Sequence, residues 1–270
     1  TPVSGQPSGM ALHQRAGRLS VACPQSAEVL ALDVPAAEVV ERARLFPGDG
    51  PRELAITSDG RLLLSANPGS NSVTIFETQP LTRLERIEVG SGPAAIAMDP
   101  ASRRAFVFNT LSGSISVIDV AGRRVAAPLS VDASPLRGQF SARGDRLFVI
   151  HRRATHASVV DPLQLSVISR PRLRSPASAI RLDGRRNLLY LAGPDEATIG
   201  VYDPNTLLPV DFLKTTAGVA HLTIDAEDNT LYFASPATRT LGALGLVDRK
   251  AIAEIDLVQA PYWVAVMGEK

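Results

Sequence analysis

Cysteine occurs once in the 270 residues, at Cys23, tryptophan once, at Trp263, and lysine three times, at Lys214, Lys250 and Lys270. A lone cysteine excludes an internal disulfide and every paired-cysteine metal or redox motif. Within Leu19-Ser20-Val21-Ala22-Cys23 it reads as a small buried side chain. No apolar run approaches the roughly 20 residues of a membrane-spanning helix. The GxSxG, GxGxxG, P-loop, HExxH and DxDxDG patterns are all missing, and with them the usual sequence signs of serine hydrolysis, nucleotide binding, zinc hydrolysis and calcium loops. A net charge of +1 offers no bulk attraction for nucleic acid or an anionic membrane, and neither is expected as a partner. Helical periodicity of useful length is absent as well.

What is present is a spacing. Ile56, Met98, Phe140, Leu182, Ile224 and Val266 stand 42 residues apart, as do Leu63, Ala105, Leu147, Leu189 and Leu231, and again Val73, Ile115, Ala157, Ile199 and Leu241. Units begin near Gly48, Gly90, Asp132, Arg174 and Thr216, and a further copy opens at Val258. Within one unit, Pro51 to Ile56 reads as strand a, Leu62 to Ala66 as b, Ser72 to Phe76 as c and Thr82 to Val89 as d. Turn-forming stretches such as Ser58-Asp59-Gly60-Arg61 separate them. The N-terminal unit fits with one inserted residue, from a strand a at Met10–His13 to a strand d at Val39–Leu45. A period of about 40–45 residues made of four short strands predicts an all-β propeller, one blade per repeat. Each blade needs to pack only on its neighbours.

The expected architecture is six four-stranded antiparallel blades in a single domain over residues 9–270, with Ala260–Met267 as an unaccompanied strand that closes the ring. Seven blades, with strands missing upstream, is the alternative. Residues 1–8 are expected to be a flexible leader, the start of a mature or trimmed chain. They show no signal-peptide pattern.

The pattern x-Pro-x-x-(Val/Ile/Leu)-Ala-x-(Ser/Asp)-x-x-Gly-x-x-Leu, followed by an alternating strand that ends in Asp, is seen in Pro51 to Glu77, Pro93 to Asp119 and Pro135 to Asp161. It resembles the YVTN-type β-propeller repeat, over nearly the whole chain. The literal tetrapeptide is absent, with Leu64-Ser-Ala-Asn67 and Phe106-Val-Phe-Asn109 the nearest stretches, and so is the Trp-Asp dipeptide of WD40 repeats. The resemblance implies a bacterial protein, periplasmic or secreted. The family spans surface proteins, lactonase-like enzymes and cofactor-linked redox propellers.

Candidate functional residues are those where the repeat is broken. Two positions after the repeat proline the chain reads Glu53, Ala95, Arg137, Ala179, His221, Trp263, and one position earlier Arg52, Ala94, Leu136, Ser178, Ala220, Tyr262. Gln139 and Arg181 follow on the same strand edge. Small residues alternating with charged, imidazole and aromatic ones at the entry to strand a suit a ligand pocket better than a repeated structural ring. The b–c loops, on the same face in propellers, are Asn/Gly/Ser/Pro turns except at His151-Arg152-Arg153-Ala154-Thr155-His156, which suits an anion or an acidic partner.

The leading expectation is a monomeric, non-catalytic binding or scaffold protein that takes a protein partner or small anionic ligand on this loop face, with no cofactor and no metal. A lactonase-like hydrolase using Glu53, Arg137 and His221 is one alternative. A haem- or quinone-linked redox subunit is the other; it would hold haem non-covalently, there being no CxxCH motif. Asp33, Asp119, Asp161 and Asp203, each ending a strand c, are expected to accept turn N–H groups rather than to ligate a cation.

Overall fold

The computed structural model describes residues 6–132 and 134–266. It divides into two compact units, Thr1–Gly138 and Gln139–Lys270. The first holds three four-stranded sheets: β1 (Met10–His13), β2 (Arg18–Cys23), β3 (Glu28–Asp33) and β4 (Glu38–Arg44); β5 (Glu53–Ile56), β6 (Leu62–Asn67), β7 (Ser72–Thr78) and β8 (Leu81–Glu88); β9 (Pro93–Met98), β10 (Arg104–Asn109), β11 (Ser114–Asp119) and β12 (Arg124–Ser130). The boundary between the units falls within β13 (Pro135–Phe140), which heads a fourth sheet with β14 (Leu147–His151), β15 (Ala157–Asp161) and β16 (Ser166–Ser169). The second unit continues with β17 (Ala179–Asp183), β18 (Leu188–Ala192), β19 (Thr198–Tyr202) and β20 (Pro209–Lys214), then β21 (His221–Asp225), β22 (Thr230–Ser235), β23 (Thr240–Gly245) and β24 (Ala251–Asp256). Every sheet is a meander of sequential strands, and the one helical element among the described residues is a single 3-10 turn, Gln14–Ala16.

The strand sequences follow from what each strand covers. The middle strands are buried on both faces and read as near-continuous apolar runs: after Arg104, every residue of β10 is buried. The outer strands β4 and β12 alternate instead, and all six residues of β24 are exposed. Packing between consecutive sheets makes the cores. In the first unit, Leu54, Leu63 and Phe76 of the second sheet meet Ala22, Val29 and Ala31 of the first, while Leu64, Val73 and Ile75 meet Ile96, Ala105 and Val107 of the third. In the second unit, Tyr190, Ile199 and Val201 meet Leu222, Ile224, Leu231 and Phe233.

All six sheets share one irregularity that the sequence did not announce. Between strands c and d the register skips one outer-strand residue: Val40, Leu84, Ala126, Ile168, Val210 and Ile252. Such a bulge increases local twist and bends the edge strand. Before it, the c–d turn is held as expected for the repeated aspartates. The Ala36 N–H donates to Asp33, the Gly122 N–H to Asp119, the Leu163 and Gln164 N–H groups to Asp161 and the Asn205 N–H to Asp203, at 2.7–3.1 Å.

Two expectations need adjustment. Each sheet draws its four strands from its own repeat, and 260–266 form no strand. That segment is instead tied to β21, where the Val264 N–H donates to His221 Nδ1 at 3.5 Å; Met267 lies outside the described residues. At the other end, Ser8, assigned to the leader, is anchored by its N–H to the Ala22 carbonyl (3.0 Å) and its hydroxyl to the Arg52 carbonyl (2.7 Å). The rest of the leader before Gln6 lies outside the described residues.

Candidate functional site

In the first unit, the strand-a entry positions bring two predicted residues together. Glu53 opens β5 and is 6% exposed. Its Oε2 accepts from the Arg137 guanidinium at 2.8 Å, and the Ile96 N–H lies 3.4 Å from Oε1. The intervening repeat carries Ala94 and Ala95 here, and these small side chains leave room for an acid and a guanidinium 84 residues apart to meet. Burial pushes the Glu53 carboxyl above its ordinary value; the Arg137 charge, the Ile96 N–H and Arg52 oppose that rise without cancelling it. Arg52 itself is exposed.

In the second unit, His221 opens β21 and stacks on Trp263, with ring centroids 3.9 Å apart. The Val264 N–H donates to its Nδ1 at 3.5 Å, so this imidazole is held by its neighbours on one ring face and one edge. Tyr262 is 60% exposed. Gln139 lies on β13 and Arg181 on β17, both half-buried.

The fourth repeat corrects one reading. His151, expected in a b–c loop suited to an anion or acidic partner, is the last residue of β14 and is buried, with Nε2 2.8 Å from Ser158 Oγ. The reason is a repeat position overlooked in the sequence. At the end of strand b the chain places Asn67, Asn109, His151, Gly193 and Ser235, 42 residues apart. Asn67 Nδ2 reaches Thr74 Oγ1 (2.9 Å) and Ser72 Oγ (3.2 Å); the Asn109 carboxamide reaches Ser116 (2.9 Å) and Ser114 (3.2 Å). These buried side chains plug the mouth of the b–c turn by satisfying hydroxyls on strand c. His151 is the imidazole version of the plug. The signal that would have found it is the polar residue recurring at the end of an apolar strand.

Arg152 and Arg153 are exposed in the turn that follows, Arg153 at φ 59°, and His156 is half-buried with its ring 5.1 Å from that of His151. Neither arginine makes a salt bridge among the described residues. In the fifth repeat Gly193 and Gly200 replace plug and hydroxyl. A shallow cleft of only about 20 Å³ lies there, lined by Arg174, Glu196, Tyr202 and Phe212 among others. Two larger clefts recur at one repeat position, Leu62, Val120 and Arg123 in the first unit matching Leu188, Leu246 and Arg249 in the second. They are a feature of how one repeat meets the next.

The repeat, the six antiparallel sheets and their packing define the class: the chain is a six-bladed β-propeller. Among solved structures it is similar to the Kuenenia stuttgartiensis hydrazine synthase, with a TM-score of 0.83 at 17% identity, over 97% of this chain and 89% of that one. At that identity the likeness shows the fold, and a fold matched by 1750 solved chains carries no single activity. No protein-family model and no curated protein matches the sequence.

Proposed function

We propose that this propeller is a non-catalytic binding protein of the YVTN-like kind, one domain from residue 9 onward and periplasmic or secreted, whose fourth blade takes an acidic protein partner or a small anion. The observation that carries this reading is charge. Residues 139–176 hold seven arginines against two aspartates, a net +5 in a chain whose total is +1, so the remainder carries −4. Arg152 and Arg153 stand at the tip of that segment, exposed and without an acidic partner among the described residues. Guanidinium groups left unpaired on a surface favour carboxylate and phosphate.

The hydrolase alternative draws less support. It needs the Arg137 guanidinium for a developing oxyanion, and that group is engaged by Glu53. The test is comparative capture from the source cell, with the wild type and Arg152→Glu/Arg153→Glu as baits, together with thermal shift against phosphates and acidic peptides. Proteins or anions held by the wild type and released by the variant support the reading. Identical retention by both baits contradicts it.

A further inference from the structure

The open edge of the fourth blade carries more than the two turn arginines. The ladder between strand c and the outer strand runs beyond β16. The Ala157 N–H donates to the Pro171 carbonyl at 3.0 Å, the Leu173 N–H to the Thr155 carbonyl at 2.9 Å, and His156 bridges Arg172. The outer strand thus extends in regular pairing from Ser169, just past the bulge at Ile168, to Leu173. Residues 169, 171 and 173 turn their backbone groups inward to strand c. The alternate residues, 170 and 172, turn theirs toward the edge, where the sheet has no further strand. Their side chains, Arg170 and Arg172, are exposed, and Arg174 continues the row with its guanidinium 4.8 Å over the Phe212 ring.

Edge protection is the ordinary reason for charge and proline on an outer strand, and two details argue against it here. Pro171 sits at an inward-pairing position, so its missing N–H removes a bond to strand c and blocks nothing at the open edge. The charge pattern also differs from that of the other blades. The first repeat places Arg42 and Arg44 at the positions of Arg170 and Arg172, but with Glu41 directly before them and Arg44 paired to Glu28 at 3.2 Å; the second has Arg86 and Glu88, the fifth Phe212 and Lys214, and the sixth Glu254 and Asp256. Mixed or opposite charge would protect an edge equally well; a row of one sign selects a partner.

We infer that this edge, from Ser169 to Arg174, accepts an extended acidic segment of a partner protein as a fifth strand. Main-chain bonds form to residues 170 and 172, and carboxylates at alternate positions of the segment meet Arg170 and Arg172. Spacing supports this form of ligand. Alternate residues on both strands recur every ~6.7 Å, so acids two apart stay in step with arginines two apart. Arg152 and Arg153, in the turn that begins next to His151, add charge at one end of the same blade. The inference rests on the binding function proposed above and sharpens it to one edge and one kind of ligand.

The experiment uses the whole chain and a labelled peptide of about ten residues alternating Glu with Val, long enough to span the edge. Two controls go with it: a peptide of the same sequence N-methylated at every backbone amide, and a single-stranded oligonucleotide of equal charge. Fluorescence anisotropy should show saturable binding of the Glu/Val peptide, weakened about tenfold or more by Arg170→Glu/Arg172→Glu. The N-methylated peptide, which lacks every N–H group a ladder could use, should bind no better than that variant binds the first peptide. Circular dichroism and melting of the variant confirm that it folds; Arg170→Gln/Arg172→Gln provides a second, milder variant. Equal binding of the N-methylated peptide, tighter binding of the oligonucleotide, indifference to both variants or no binding overturns the inference. So does concentration-dependent self-association that the variants abolish, which would put a second copy on the edge. If Arg152→Glu/Arg153→Glu releases captured partners while the edge variants do not, the edge inference fails and the binding function stands. If neither pair matters, both fail.

Discussion

Arg137→Met and Glu53→Gln should behave very differently although they break the same ion pair. Arg137→Met keeps the apolar stem and removes the charge 2.8 Å from a carboxylate that is 6% exposed. Removing one partner of a buried pair costs about 3–5 kcal/mol when the other charge stays stranded. Two features lower that figure here: Glu53 can take up a proton, and the Arg137 side chain is 21% exposed, so the pair is not fully desolvated. About 2–3 kcal/mol near neutral pH is the expected loss. Glu53→Gln leaves one oxygen, which can keep the Arg137 bond but not the Ile96 bond as well, and a guanidinium that water can reach, so its loss should stay at about 1–2 kcal/mol, below that of Arg137→Met.

The pH dependence separates the two further. Burial holds the folded Glu53 carboxyl above its ordinary value of 4.5, so between that value and the raised one the folded state binds more protons than the unfolded state. Stability from this group is present below the ordinary carboxylate range and is lost as pH rises through the raised folded value. Arg137→Met removes the largest opposing charge, so its loss should extend to higher pH and be smallest in acid; Glu53→Gln should abolish the slope. Urea unfolding followed by circular dichroism between about pH 4.5 and about pH 8 reads both effects. Equal losses for the two variants at every pH would refute the reasoning.

Further outcomes follow from the repeat. His151→Asn restores the plug of the second and third repeats and should change the melting temperature little, whereas His151→Leu strands the buried Ser158 hydroxyl and should cost about 1–3 kcal/mol in denaturant unfolding. Gly242→Ala would put a Cβ 2.0 Å from the Phe233 ring, in a core where that ring is fully buried; a loss of about 1–3 kcal/mol is expected, and a neutral result would show that the ring has room to move. Arg152→Glu/Arg153→Glu should leave unfolding within about 0.5 kcal/mol of the wild type, since both side chains are exposed and without salt bridges among the described residues.

The repeat made the fold legible because a strand buried on both faces must be apolar throughout and its turn must bend, and those two demands recur at fixed spacing. The aspartates of the c–d turns were legible for the same reason, since each serves only residues two or three further along. The bulges were not: an extra aliphatic residue such as Ile168 on an outer strand looks like any other alternation until the register with Val159 and Val160 is known. Glu53 and Arg137 could be named from broken repeat positions, but their contact depends on Ala95 being small in the repeat between them. His151 was misplaced because a histidine beside two arginines suggests an anion-binding loop, while its place is set by Ser158, seven residues on across the hairpin. The continuation of the fourth blade's edge past Ser169 was hidden by Pro171, which reads as a strand breaker and in the structure removes only an inward bond.

The central claim, that the fourth blade is the binding surface, is tested most directly by amide hydrogen exchange of the intact chain with and without the alternating Glu/Val peptide. The account predicts slowed exchange confined to residues 168–174 and the turn at 152–156, with the amides around Glu53 and His221 unchanged. Protection centred on Glu53, Arg137 or His221, with the fourth-blade edge unaffected, would contradict it.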